Sequence, residues 1–277
     1  MLLSVVIVSW QVKDKLRINL QSLFGSVTDF EWEVFVVDNG SEDGSAEMVR
    51  QEFPTVHLIA NLDNRGFAQA NNQAIKEAKG DFILLLNPDM SVRADTLNNI
   101  VHWAQNNSQA TVTGCKLLGE EGVIVPQVRR FPDFWDQLAV TFKLPHFWPA
   151  VVNGYLCSDF NYEQASKVDS VRGSFFLINR ENFRRLSDGQ DAFLDERYFI
   201  WFEEVDFCRQ VNKLGGEVWY TPTASCHDYV GQSFAQVKRS QTQKYFSESM
   251  LKYFQKWESK WKYIILKIAW KLVKIFV

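Results

Sequence analysis

The sequence predicts an α/β protein: a mostly parallel central sheet with helices on both faces. Three observations predict it. First, residues 3–9, 34–37, 56–59 and 82–86 are short, continuous apolar runs, the pattern of strands buried on both faces. Second, the stretches between them carry apolar residues at helical spacing. Third, the two kinds of segment alternate, which gives parallel strands joined by crossover helices. The 277 residues, 46% of them hydrophobic, are enough for one large domain or two small ones.

The bulk properties exclude several classes. A net charge of −3 gives no footprint for nucleic acid. The four cysteines (Cys115, Cys157, Cys208 and Cys226) are scattered without a C-x-x-C pair. That provides neither a zinc signature nor a disulfide framework and points to a reducing cytosol. The apolar run after Met1 is too short to span a bilayer and lacks the flanks of a signal peptide. No internal repeat is visible.

Taken in order, residues 3–9 form the first strand and end at Ser9-Trp10. Leu16, Leu20, Leu23 and Phe24 then mark a helix. The second strand, 34–37, runs into Asp38-Asn39-Gly40-Ser41-Glu42-Asp43-Gly44-Ser45. Ser45 suits the N-cap of a helix over 45–52. A third strand covers 56–59. The next helix runs from Gly66 to Lys79, with Gly80 as its stop. The fourth strand ends abruptly in Asn87-Pro88-Asp89. Residues 95–106 suit a further helix, with Leu97, Ile100, Val101 and Ala104 on one face.

Asp38 and Asp89 each follow a buried parallel strand, so both emerge at the carboxyl edge of the sheet, where such folds bind ligands. Pro88 fixes its own φ and pushes Asn87 towards extended backbone, which holds Asp89 rigidly. A carboxylate so placed can hold a divalent cation if phosphates supply further ligands. The plainer alternative is an ordinary surface turn. The glycine-rich Asp38 loop suits phosphate or ribose contacts but matches neither a P-loop nor a dinucleotide fingerprint.

In the second half, 110–128 suits two short strands around Gly119-Glu120-Glu121-Gly122. Residues 129 to about 165 form an aromatic, proline-punctuated loop region. Residues 168–179 return to strand character and contain Arg172-Gly173-Ser174. Gly173 suits either close approach of a ligand or a β-bulge. The aromatic run 198–202 feeds a helix that opens on Glu203, Glu204 and Asp206 and stops at Gly215-Gly216. Acidic residues favour a first helical turn in any case. Beside so many aromatics, however, they also qualify as a desolvated general base. Residues 219–222 end another strand, and His227 follows.

The order of these pieces resembles a known family. Val-Val-Asp38-Asn-Gly-Ser, Asn64-Arg65-Gly66-Phe-Ala-x-x-Asn71-Asn72, Leu-Leu-Leu-Asn87-Pro-Asp89, Val-Arg172-Gly173-Ser, Phe-Glu203-Glu204-Val-Asp206-Phe and His227 occur in sequence. They are similar to the inverting glycosyltransferases of family two, in the rhamnosyltransferase-like branch of bacterial polysaccharide assembly, over about residues 1–255. The resemblance implies the GT-A fold over 1–237, with a nucleotide-sugar-binding half (1–115) and an acceptor-binding half (116–237). Ser9 and Asp38 would meet the nucleoside, and Asn39 is a further substrate-binding residue. Arg65 and the Asn71–Asn72 region would flank the nucleotide and its diphosphate, with Gly66 a further substrate-binding residue. Arg172, Gly173 and Asp206 would complete substrate binding. Asn87 and Asp89 match the family's D-x-D positions, with Asp89 and His227 as ligands to Mg²⁺ or Mn²⁺. Glu204 aligns with the catalytic base, with Glu203 as its reserve; the family's usual pair there is Glu-Asp.

The implied donor is a TDP-sugar, TDP-rhamnose foremost, or a UDP-sugar; the acceptor is a glycan or lipid-linked glycan. A non-catalytic nucleotide-sugar or glycan-binding protein with a degenerate site is the alternative. A sugar-1-phosphate nucleotidyltransferase fits less well, because no glycine-rich basic loop follows the first strand.

Residues 238–277 read as a helical, basic, amphipathic tail. On one helix, Lys256, Lys260, Lys267, Lys271 and Lys274 fall within about one-sixth of a turn. Trp257, Trp261, Ile264, Ile268, Leu272 and Ile275 fall on a neighbouring face. That pattern suits peripheral contact of 256–277 with the anionic inner face of the plasma membrane. Packing on the domain, or on a second subunit in a homodimer, is the competing use of the same face.

Overall fold

The computed structural model describes residues 1–229 and 237–275. Strand and helix alternate through the first half as β1 (Leu2–Ser9), α1 (Lys13–Phe24), β2 (Glu31–Asp38), α2 (Ser45–Glu52), β3 (His57–Ala60), α3 (Phe67–Glu77) and β4 (Phe82–Leu86). Next come β5 (Met90–Val92), α4 (Thr96–Asn106), β6 (Ala110–Leu118), α5 (Phe134–Thr141) and α6 (Asn153–Leu156). Short 3-10 turns lie at Leu144–His146 and Pro149–Val152. The remainder is β7 (Ser166–Val168), β8 (Phe175–Asn179), α7 (Arg180–Leu186), α8 (Glu203–Lys213), β9 (Glu217–Asp228), α9 (Arg239–Trp257) and α10 (Lys260–Ile275).

All the described strands join one sheet in the order β3-β2-β1-β4-β8-β6-β9-β5, with β7 also on β9. The first four are parallel. β8 is antiparallel to β4 and β6, and β9 is parallel to β6. Alternation along β1 sends Val5 and Ile7 into the core beneath α1, α2 and α4, and Val6 and Val8 into the core beneath α3, α7 and α8. A third core joins Tyr198, Phe202 and Val205 to Met250, Tyr253 and Phe254 of α9 and to Leu266 and Trp270 of α10.

Several boundaries differ from the sequence reading. β3 is an edge strand, half exposed rather than buried. Gly44, in the left-handed region at φ 81°, is the N-cap of α2. The Asp43 carboxylate accepts from the amide and the hydroxyl of Ser45, at 3.0 and 2.6 Å. Gly80 is not the stop of α3, which ends at Glu77. Its role is close approach: a Cβ there would lie 2.6 Å from the backbone nitrogen of Ser4. The first of the two strands expected over 110–128 is the long β6, paired on both sides. The second reduces to one bridge between Leu118 and Ile124. The loop region 129–165 holds α5, α6 and the 3-10 turns, and 168–179 splits into β7 and β8 around the Arg172 turn.

The tail is two helices rather than one. Glu258 is extended (φ −119°, ψ 167°) and breaks it. Trp257 and Lys256 turn inward, both bonded to the Asp206 carboxylate at 2.6 Å. Leu266, Ala269 and Trp270 are buried, while Trp261, Ile264, Ile268 and Leu272 stay exposed. The side chains of Lys274 and Ile275 lie outside the described residues.

Candidate active site

Parallel pairing brings the ends of β1, β2 and β4 to one edge, with Ser9 beside Asp38 in register. At that edge a cavity of about 730 Å³ opens. Asn39, Asn64, Gly66 and Phe67 line one side, and Asn87, Pro88 and Asp89 its floor. Arg172, Gly173 and Ser174 come from the β7–β8 turn, and Phe199 to Trp201, Glu203 and Glu204 from the entry to α8. Asp228 closes β9 there, and Lys238, the N-cap of α9, reaches in with Gln241 and Tyr245 of that helix.

Asp89 and Glu204 therefore share one cavity, as do Asn39, Gly66, Asn87, Arg172, Gly173 and Glu203. Ser9, Asp38, Arg65, Asn71, Asp206 and His227 do not line it. Ser9 and Asp38 lie just behind Asn39, and both are buried. The Ser9 hydroxyl and one Asp38 carboxylate oxygen have no hydrogen-bond partner among the described residues. Asn71 donates to the Phe67 carbonyl within α3, at 2.8 Å. Arg65 lies 3.6 Å from Asp63. Asp206 turns towards α9, where Lys256, Trp257 and Tyr198 all donate to it. His227 differs from Asp228 by strand alternation, which sends adjacent side chains to opposite faces. Asp228 is the one that reaches the cavity.

Two structural devices build the walls. Asn39 spends its whole amide on the neighbouring loop. Its oxygen accepts from the Arg65 amide and from Asn61, both at 3.1 Å, and its nitrogen donates to Asn64 at 3.0 Å and to the Gly66 carbonyl at 3.2 Å. A Cβ on Gly66 would lie 2.5 Å from the Phe199 carbonyl, so only glycine lets the two walls meet. Opposite, Trp201 and Phe202 hold φ at 62° and 70°, a region that bulky residues rarely enter. Packing of Phe202 on Tyr253 and a 2.7 Å bond from the Ser249 hydroxyl to the Ile200 carbonyl hold this turn. It delivers Glu203 and Glu204 to the cavity at the start of α8.

The electrostatics separate the two glutamates. Burial, then the charge of Glu204, pushes the Glu203 carboxyl well above its ordinary range. Burial also raises Glu204, but backbone N–H groups at the helix start and the Arg172 guanidinium work against that rise. One carboxylate oxygen of each has no hydrogen-bond partner among the described residues. Glu203 is 4% exposed, whereas Glu204 is only partly buried. Glu204 is thus the member of the pair with the more accessible carboxyl and with groups beside it that favour its charged form. A Cβ on Gly173 would sit 3.4 Å from the Glu204 Cβ, an ordinary van der Waals contact, so Gly173 lies directly against Glu204.

The donor set for a cation is small. No cluster of three or more His, Cys, Asp or Glu side chains able to hold a metal occurs among the described residues. Asp89 and Asp228 do converge: Met90 pairs with Asp228, and the Tyr229 amide donates to the Asp89 carbonyl at 3.1 Å. Two oxygen ligands from protein, with phosphate and water for the rest, fit Mg²⁺ or Mn²⁺.

The sequence profile of glycosyl transferase family 2 matches residues 4–186. The chain belongs to glycosyl transferase family 2. An N-acetylglucosaminyl-diphospho-decaprenol L-rhamnosyltransferase of Mycobacterium tuberculosis is 27% identical over 203 residues, 69% of this chain and 64% of that protein. The chain thus spans just under two thirds of that relative. Rhamnosyltransferase WbbL of Escherichia coli is 26% identical over 226 residues, 79% of this chain and 80% of that one. The family-2 chain is rhamnosyltransferase-like, and its fold is GT-A. A mannosyltransferase from Pyrobaculum calidifontis, solved with GDP-Man and Mn²⁺, superposes with a TM-score of 0.60 at 17% identity, covering 98% of this chain and 69% of that one.

Sequence reasoning missed Trp10, Asn64, Ser174, Asp228, Lys238, Gln241 and Tyr245. The strand alternation of β9 is the signal that would have found Asp228. Nothing local marks Lys238, Gln241 and Tyr245 at the start of α9, which arrive by tertiary packing alone.

Proposed function

We infer that this chain moves a sugar from a nucleoside diphosphate donor to a glycan or lipid-linked glycan acceptor, with inversion at the sugar carbon. The observation that carries this reading is the shared cavity of Asp89 and Glu204. The acceptor hydroxyl attacks the sugar carbon from the side opposite the diphosphate, the carbon–oxygen bond to phosphate breaks, and Glu204 takes the hydroxyl proton. Arg172 favours the ionised form of Glu204, while burial and the charge of Glu204 favour the protonated form of Glu203. Ser9 and Asp38, with unpartnered buried oxygens, suit the nucleoside. Asp89 and Asp228 would hold Mg²⁺ or Mn²⁺ against the diphosphate. When bound, the cation offsets the negative charge that develops on the leaving group.

The names of the mycobacterial and E. coli relatives favour a rhamnosyl donor, hence a TDP-sugar, with UDP-sugars the alternative. A diphospho-decaprenol acceptor in the former's name favours a lipid-linked acceptor, and with it a place at the inner face of the plasma membrane. Residues 1–115 would hold the donor and 116–237 the acceptor.

A thermal-shift panel of nucleoside diphosphates, with and without Mn²⁺, tests the reading. A ligand that binds only the native state raises its apparent stability. One nucleotide should raise Tm, and Mn²⁺ should add to that increase. Nucleotide release from the matching donor should then require acceptor and Glu204. No response to any nucleotide overturns the reading; a response without turnover leaves a binding protein.

A further inference from the structure

We propose that α10 and the segment 134–148 together form one face that seats this protein on an anionic lipid bilayer. The proposal deepens the reading of the acceptor as lipid-linked and rests on it for its purpose, not for its physics.

The helix α10 divides into three sectors. Leu266, Ala269 and Trp270 are buried against the domain. Trp261, Ile264, Ile268 and Leu272 are exposed by 42–52%, and they fall on one stripe at helical spacing. Lys260, Lys267 and Lys271, all exposed, border that stripe. Residues 260–277 contain no acidic side chain.

The second element could not be read from the tail. Trp135, Phe147 and Trp148 are exposed by 71%, 88% and 67%, far from α10 in sequence. The Phe134 ring joins the two. It touches Trp135 at 4.9 Å between ring centres and Trp261 at 5.1 Å. Exposed indoles thus flank one buried ring where α5 packs on α10. The apolar surface is continuous from Trp135 to Trp261 through Phe134, and contiguous apolar surface marks an interaction site.

The chemistry of the face selects its occupant. An apolar, Trp-bearing stripe beside an all-lysine border suits an interfacial helix on anionic lipid. At about 1.5 Å per residue, the 16 residues of α10 fall short of a bilayer core, and no helix among the described residues is long and apolar enough to cross a membrane. The face therefore lies on the surface rather than spanning it. It also sits near the chemistry. Trp270 packs on Phe246 and Phe246 on Phe202, the residue before Glu203.

The test is flotation of the full chain with vesicles of phosphatidylglycerol and phosphatidylcholine, and of phosphatidylcholine alone. The wild type should float with the anionic vesicles and hardly with the neutral ones. Trp135→Ser/Phe147→Ser/Trp148→Ser should lower the bound fraction at least tenfold, as should Trp261→Ser/Ile264→Ser/Ile268→Ser. Lys267→Glu/Lys271→Glu should remove the preference for anionic lipid. Circular dichroism and the nucleotide-induced rise in Tm check that each variant is folded. Wild-type flotation of the 134–148 variant overturns the two-part face. A protein that ignores vesicles but forms a dimer broken by the same substitutions overturns the lipid assignment. Flotation without any nucleotide response would sink the enzymatic reading and leave this one standing.

Discussion

Two acidic pairs stand around the start of α8 and meet opposite surroundings. Asp195 and Asp206 face α9. Lys256 reaches both, at 3.0 and 2.6 Å, Trp257 and Tyr198 donate to Asp206, and Arg197 pairs with Asp195. Burial alone would raise the Asp195 carboxyl, yet hydrogen bonds from Arg197 and Lys256 hold it well below the usual range. Glu203 and Glu204 face the cavity, and both are raised by burial. The same residue chemistry thus gives a clamp on one side of the helix and, on the other, carboxyls held above their ordinary range at the cavity. A buried carboxylate with a matched cation is fixed and silent, while one with little compensation is poised to exchange a proton.

The sharpest break in this comparison is Glu204→Gln. Transfer should fall by roughly 10²–10⁴-fold, the usual worth of a general base, while the nucleotide-induced rise in Tm persists. Near-normal turnover in that variant would remove Glu204 from the role. On the clamp side, Lys256→Met leaves Asp206 buried without its cation. The loss should be about 3–5 kcal/mol of stability, read by urea unfolding, with the donor site altered only through unfolding. Asp89→Ala should abolish the stimulation of turnover by Mn²⁺, a loss of several kcal/mol of transition-state stabilisation at most. Unchanged metal dependence would reassign the cation.

Smaller effects sharpen the contrast. Glu203 binds its proton more tightly folded than unfolded. Stability therefore falls as pH rises from the ordinary carboxylate range towards its raised value. Glu203→Gln should remove that slope. It should raise stability at neutral pH by an amount on the order of 1 kcal/mol, seen as a higher Tm, and change little near pH 4. An unaltered dependence of Tm on pH would deny Glu203 its protonated state. The acidic limb of the activity profile should lie above the ordinary glutamate range, since activity is lost as pH falls through the raised Glu204 value. Arg172→Ala should move that limb further upward, because the guanidinium favours the carboxylate.

Much of this was legible in the chain alone. The continuous apolar runs and the period-3.6 stretches between them marked the alternating first half, because burial of a strand or of a helix face is a local demand on sequence. Asp89 and Glu204 were legible for the same reason: each sits where a patterned element starts or stops. Asn39 was legible as a loop residue but not as the hub of four bonds. His227 and Asp228 were separable only by the phase of β9, which its pairing with β5 and β6 fixes.

The tertiary structure decided the rest. Whether Asp206 meets substrate or Lys256, and whether the tail is one helix or two, depends on partners brought in from distant parts of the chain. Trp135 and Trp261 became neighbours through the packing of α5 on α10. Periodicity reports which face of an element is apolar; it carries no record of what that face will touch. Local pattern therefore fixed most strands and helices and the two carboxylates, Asp89 and Glu204, that meet in the cavity, and the packing of distant elements fixed which charges are paired and which are left facing it.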